Sequence, residues 1–161
     1  MGQKEDSDMA QNPKKYLGEW IIRFIKNKDL VLKRIVDIKE TDEGILVIEK
    51  EKKALMIVEK DLSSFKKSLE KLKDYDFCSL VVYNTKENFD ILIKNWDELS
   101  SFKRHFSIYF VNPFSTLEKR WVIFPYTHNM LTEKENLKLS LKGIAELVDQ
   151  TDDKKLDKLT A

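Results

Sequence analysis

Residues 52–73, KKALMIVEKDLSSFKKSLEKLK, change their hydrophobic period halfway along. Ala54, Leu55, Met56, Ile57 and Val58 form an unbroken apolar run. A run with no polar alternation predicts a strand covered on both faces. Beyond Glu59-Lys60-Asp61, the residues Leu62, Phe65, Leu69 and Leu72 recur three or four apart, which is the stripe of an amphipathic helix. Asp61 or Ser63 is placed to cap that helix. FCSLVVYN at 77–84 supplies a fourth strand, again apolar throughout its middle, and strands interleaved with helices point to the α/β class.

Reading outward gives the remaining elements. Upstream, EGILVIEKEKKALMIVEK at 43–60 is two apolar runs around a charged turn at 49–53, a hairpin. DLVLKRIVDIKE at 29–40 is rich in β-branched residues and predicts another strand. Asn12-Pro13 opens a first helix to about Lys26, with Leu17, Trp20, Ile21 and Phe24 on one side. Downstream, Thr85 caps a long helix carrying Phe89, Leu92, Ile93, Trp96, Leu99 and Phe102. FSIYFVNP is a fifth strand, stopped at Pro113, and RWVIFPYT a sixth, whose Pro125 predicts an edge or a bend. Thr132 and Glu135 have the spacing of a capping box for a last helix with the stripe Leu137, Leu141, Ile144 and Val148. The expected architecture is α/β: a single three-layer domain over residues 13–149, a central mixed sheet with flanking helices, in the order α-β-β-β-α-β-α-β-β-α. Residues 1–12 are expected to be a disordered N-terminus and 150–161 a disordered charged tail.

Composition narrows the chemistry. The 161 residues are 42% hydrophobic, with a formal net charge of +1, so a strong non-specific hold on nucleic acid is not expected, although a local lysine patch is compatible with one. One cysteine, Cys78, allows no internal disulfide and no cysteine zinc cage, and two histidines make no histidine-only metal site. Cys78 begins an apolar strand and reads as a small core residue. His105 sits where a histidine suits a helix C-terminus. Four scattered glycines form no phosphate-cradling loop. No run of about 18 apolar residues occurs, and MGQKEDSDMAQNP has neither the apolar core of a signal peptide nor a Ser or Thr at position 6 for acylation. The expectation is a cytoplasmic protein without a membrane partner; the oligomeric state is not written in the sequence.

The order α-β-β-β-α-β over Pro13 to Asn84 resembles the common core of restriction-endonuclease-like nucleases. The resemblance implies an acid near the second core strand and a (D/E)-x-K triplet on the third, together binding a divalent metal and the attacking water. Lys60 stands where the family lysine would, Val58 at the position of the acid, and Glu59 on the other face, while Asp42 and Glu43 precede Gly44 in a turn. The motif is thus degenerate, and the resemblance implies an inactive domain serving as a binding or accessory module in nucleic-acid transactions. Asp37-Ile38-Lys39 and Glu51-Lys52-Lys53 have the triplet spacing elsewhere. With 28 acids and 29 basic residues, four of them arginines, chance alone produces about four such triplets, and four occur. The alternative is an active divalent-metal nuclease drawing its catalytic groups from Asp37, Lys39, Asp42, Glu59 and Lys60; only then is a cofactor, Mg²⁺, implied. The second half, from NTKENFDILIKNWDELSSF to FVNPFSTLEKRWVIFPYTHN, is similar to uncharacterised archaeal proteins, which brings no activity with it.

Two further constellations offer binding. If strands four and five are parallel, Asn84, Thr85, Asn112, Ser115 and His128 gather at one sheet edge, where open α/β sheets take small ligands. The same residue types also serve as caps and turns. Lys66, Lys67, Lys71 and Lys73 line the exposed side of the second helix, a face that can track phosphates or simply be solvated. The expected partners are nucleic acid or another protein.

Overall fold

The computed structural model describes residues 12–116 and 118–158. A 20-residue helix α1 (Pro13–Leu32) comes first. It is followed by β1 (Ile35–Glu40), β2 (Ile45–Glu49), β3 (Lys53–Val58), α2 (Phe65–Leu72) and β4 (Phe77–Tyr83). The second half runs α3 (Lys86–Lys94), α4 (Trp96–Ser100), β5 (Phe106–Val111), β6 (Arg120–Ile123), α5 (Pro125–Leu131), a 3₁₀ turn (Lys134–Asn136), α6 (Leu137–Ala145) and α7 (Asp153–Asp157). The six strands form one sheet in sequence order. β1, β2 and β3 are antiparallel neighbours, β3, β4 and β5 are parallel, and β6 returns antiparallel. The fold is α/β with a mixed sheet.

The unbroken apolar runs have the consequence expected of them. Along β4, Cys78, Leu80 and Val82 face one side and Val81 and Tyr83 the other, all buried. On the first side Leu55, Ile57, Ile108, Phe110 and Trp121 join Leu62, Phe65, Leu69 and Leu72 from the α2 segment, with Leu92, Trp96, Leu99 and Leu141 from α3, α4 and α6. On the second side Ile45, Val47, Met56, Val58 and Val111 meet Leu17 and Ile21 of α1. Burying each such side chain contributes about 1.5–3 kcal/mol, so these two layers supply the main drive for folding.

Several boundaries differ from the sequence expectation, each for a local reason. α1 runs on to Leu32 rather than stopping near Lys26, so Asp29 to Leu32 are helical and the strand begins at Ile35. Asp29 ends the helix: its carboxylate accepts the N–H of Arg34 (2.8 Å) and Ile35 (3.1 Å), and its carbonyl accepts from Lys33, which is left-handed at φ 51°. The long helix breaks at Asn95, whose side chain donates to the Ile91 carbonyl at 2.9 Å. β6 stops before Pro125, which opens α5. Thr132 lies in extended backbone beside His128 instead of capping α6. Residues 150–158, read as a disordered tail, are packed: Thr151 is buried and Leu156 is 1% exposed in the α1-side core. Nearly all of the expected N-terminal stretch, residues 1–11, and 159–161 lie outside the described residues.

The β1–β2 turn packs closely against β3. Thr41 and Gly44 exchange backbone bonds of 2.8 and 3.2 Å around Asp42 and Glu43. A Cβ on Gly44 would stand 2.6 Å from the Met56 carbonyl oxygen of β3, a backbone atom unable to give way. Gly44→Ala is therefore expected to lower the urea midpoint by an amount equivalent to roughly 1–3 kcal/mol, with the dependence on urea unchanged.

Candidate functional site

Parallel pairing brings the carboxyl ends of β3, β4 and β5 to one edge of the sheet, and the hairpin register brings the β1–β2 turn to the same edge. There, a cleft of about 500 Å³ opens between the first turns of α1, the β1–β2 turn and the end of β3. α1 contributes Asn12, Lys14, Lys15, Gly18 and Glu19; the turn contributes Glu40, Thr41, Asp42, Glu43 and Gly44; Ile57, Val58 and Glu59 form the wall and Lys71 reaches in from α2. The start of α1 is fixed there by its sequence. Asn12 caps it by accepting from the N–H of Lys14 and Lys15, Pro13 takes the first helical position, and the buried Tyr83 hydroxyl donates to the Pro13 carbonyl at 2.6 Å.

Five carboxylates and three lysines share this cleft, so it is a mixed-charge surface of acidic balance. Lys14 Nζ lies 3.3 Å from Glu59 Oε1. Tyr75 donates to Glu43 at 3.4 Å, and burial together with the Glu43 charge holds its phenol above the usual range. Among the described residues no group of three or more His, Cys, Asp or Glu side chains is arranged to hold a metal ion. A hard divalent cation wants several oxygens converging on one point, which this arrangement does not provide.

Of the residues singled out from the nuclease resemblance and the triplet spacing, Asp42 and Glu59 enter the cleft. Asp37 and Lys39 do not line it. They lie on the outermost strand, opposite Ile48 and Leu46, on the sheet face away from α1. Lys60 follows β3, and its carbonyl accepts from Tyr83 N and from Asn88 Nδ2. Of the five candidate catalytic groups, Asp37 and Lys39 are therefore not gathered with Asp42 and Glu59 at one point. Of the lysine face, Lys71 reaches the cleft. Lys66 stands 3.9 Å from Glu98, Lys73 pairs with Glu70 at 3.2 Å, and Lys67 is exposed. Glu19 was missed from the sequence, although its place four residues after Lys15 sets the two on one helix face.

The strand-end asparagines do something else. Asn84 is 1% exposed: its side chain donates to the carbonyls of Val148 and Asp149 and accepts from Trp121 Nε1 at 2.9 Å. Asn112, also 1% exposed, donates to the Asp149 carbonyl at 2.8 Å and accepts from Phe114 N. Thr151 N completes the clamp on the Asn84 carbonyl. The crevice over β4 and β5 is thereby filled by the chain's own segment 148–151. Thr85 caps α3 by accepting from Asn88 N, Ser115 is buried, and His128 lies beside Thr132 and Ser140 hydroxyls with Trp96 edge-on. Asn88, fully buried and unmarked in the sequence reading, accepts from Leu62 N and donates to the Tyr83 and Lys60 carbonyls. Cys78 is buried, and burial pushes its thiol up to about 11, which leaves it protonated and inert at neutral pH. Compared with family models, curated proteins and solved structures, the chain has no match.

Asn84→Ala leaves the buried Trp121 N–H and the Val148 carbonyl without their side-chain partner and takes one of two amide donors from the Asp149 carbonyl, so a loss on the order of 1–3 kcal/mol is expected in urea unfolding. Burial holds the His128 imidazole below its ordinary value of 6.5. The unfolded chain then binds more protons than the native one as pH falls from 7 through 6.5 to the lowered native value, and stability is lost over that window. His128→Gln should remove this part of the pH dependence, read as the difference between melting temperatures at pH 7.5 and 5.5.

Proposed function

We propose that this chain is a nuclease-like domain without a working metal centre that acts as a binding module for nucleic acid. Support comes from the helix, the antiparallel β1-β2-β3 meander and the parallel crossover through α2 to β4, the layout that the sequence resemblance implies. The observation that carries the reading is the end of β3. Val58, in the position where the resemblance requires a carboxylate, is buried against α1, and the neighbouring Glu59 is paired with Lys14. Contact would fall on Lys15 of α1 and Lys71 of α2 at the cleft and on the exposed Lys67 one helical turn before Lys71, because the carboxylates within the cleft repel phosphate. Such contacts are sequence-independent and depend on released counterions.

The test is fluorescence anisotropy with single- and double-stranded DNA and RNA across a salt series. Affinity is expected to fall steeply from low to physiological salt. The pair Lys67→Glu and Lys71→Glu should reduce the slope of log K against log salt by about two, uniformly over sequences. No strand cleavage is expected with Mg²⁺ or Mn²⁺. Absence of binding even at low salt removes nucleic acid as the partner; metal-dependent cleavage that disappears in Asp42→Ala establishes instead an active nuclease built on the acids of the cleft.

A further inference from the structure

β1 is one edge of the sheet, and among the described residues no strand pairs with its free side. The ladder determines which of its backbone groups face outward. Thr41 and Gly44 are a bonded pair, so alternation makes Lys39 with Leu46 and Asp37 with Ile48 bonded pairs too. Ile38 and Glu40 consequently turn their N–H and C=O groups away from β2. The Ile38 N–H is instead taken by the carboxylate of its own neighbour, Asp37, at 2.8 Å. Along this edge runs a groove of about 530 Å³, in which Leu30, Ile35, Val36 and Ile38 alternate with the charged Lys26, Asp29, Lys33 and Asp37. Leu30 is 71% exposed and Val36 65%, a large apolar exposure beside backbone that no second strand pairs with.

The charges along residues 33–43, KRIVDIKETDE, select what fits there. The strand enters on Lys33-Arg34 and leaves on Asp42-Glu43, so an antiparallel copy of itself lays basic end against acidic end. Near the strand centre three two-fold registers are conceivable. One centred on Asp37 sets that carboxylate against its own copy, and one centred on Lys39 does the same with two ammonium groups; like charges directly opposite are destabilising. A two-fold axis through Ile38 instead sets Asp37 against Lys39 of the second copy, twice. It also pairs the outward Ile38 N–H with the Ile38 carbonyl of the second copy and releases the Asp37 carboxylate to the lysine.

We propose that β1 pairs antiparallel with β1 of a second copy about a two-fold axis through Ile38, joining two sheets into one of twelve strands held in register by reciprocal Asp37–Lys39 contacts. The bulge between Ile35 and Asp37 and the charged side chains are devices that guard an edge from indiscriminate pairing, and on this edge they leave one register favourable. The interface is isologous, as closed two-fold pairs require.

Analytical ultracentrifugation of the full chain from about 10 μM to 1 mM, the range in which so small an interface associates, provides the test. The mass is expected to rise from one chain toward two with concentration. Asp37→Lys and Lys39→Asp should each weaken association roughly tenfold, and the double reversal Asp37→Lys/Lys39→Asp should restore it. Amide exchange at Ile38 and Glu40 should slow with concentration while the other edge strand, β6, is unaffected. A chain that stays monomeric throughout, a double reversal that fails to restore association, or a dimer whose concentration-dependent protection lies away from β1 overturns the proposal.

Discussion

Burial of β4 on both faces is the constraint from which the rest of the layout follows. Leu80 and Val82 on one side and Val81 and Tyr83 on the other are each 1% exposed or less, so helices must lie on both faces of the sheet. One connection that satisfies this is parallel crossover. α2 carries the chain back over one face between β3 and β4, and α3 with α4 does so between β4 and β5. The opposite face falls to α1, which precedes the sheet and is anchored at its start by the Tyr83 hydroxyl. Parallel strands then deliver three carboxyl ends to a single edge, and the polar residues of the fold collect there.

That edge is shared between two different uses. Over β4 and β5 the asparagine side chains are engaged by backbone groups of 148–149 and by Trp121, so the polar atoms hold the fold closed. Buried amides in a low-dielectric setting are costly when unmatched, which is why these carry nearly full complements of partners. Over β3 the polar groups face water, and their carboxylates and lysines are available to a partner. The boundary between the two regions is Asn88, which ties the residues after β3 to the end of β4.

What was legible in the sequence was whatever depends on hydrophobic period. The runs at 54–58, 77–83 and 106–111 became doubly covered strands, and the stripe Leu62, Phe65, Leu69 and Leu72 became the α2 face. What was not legible depends on single hydrogen bonds made across space. Asp29 ends α1 by reaching Arg34 and Ile35, and nothing in the composition of 29–40 distinguishes that from a strand start. Asn84 and Asn112 were visible as polar strand ends, but their partners are carbonyls near residue 149, whose identity no side-chain pattern encodes. Leu156 is one apolar residue among charges, too little for a period, yet a single buried leucine suffices to dock a turn of helix.

The return of the chain after α6 to the α1 side of the sheet bears on how the molecule is made. Leu17 and Ile21 leave the ribosome before every strand of the sheet and Leu156 after every one of them, yet the three belong to one cluster. The layer built on α2, α3, α4 and α6 is complete once Val148 has emerged, whereas the α1 layer is sealed only when the final described helix has been synthesised. During elongation the part of the α1 layer that Leu156 covers stays open until that helix emerges, and open apolar surface of this kind exposes a nascent chain to aggregation.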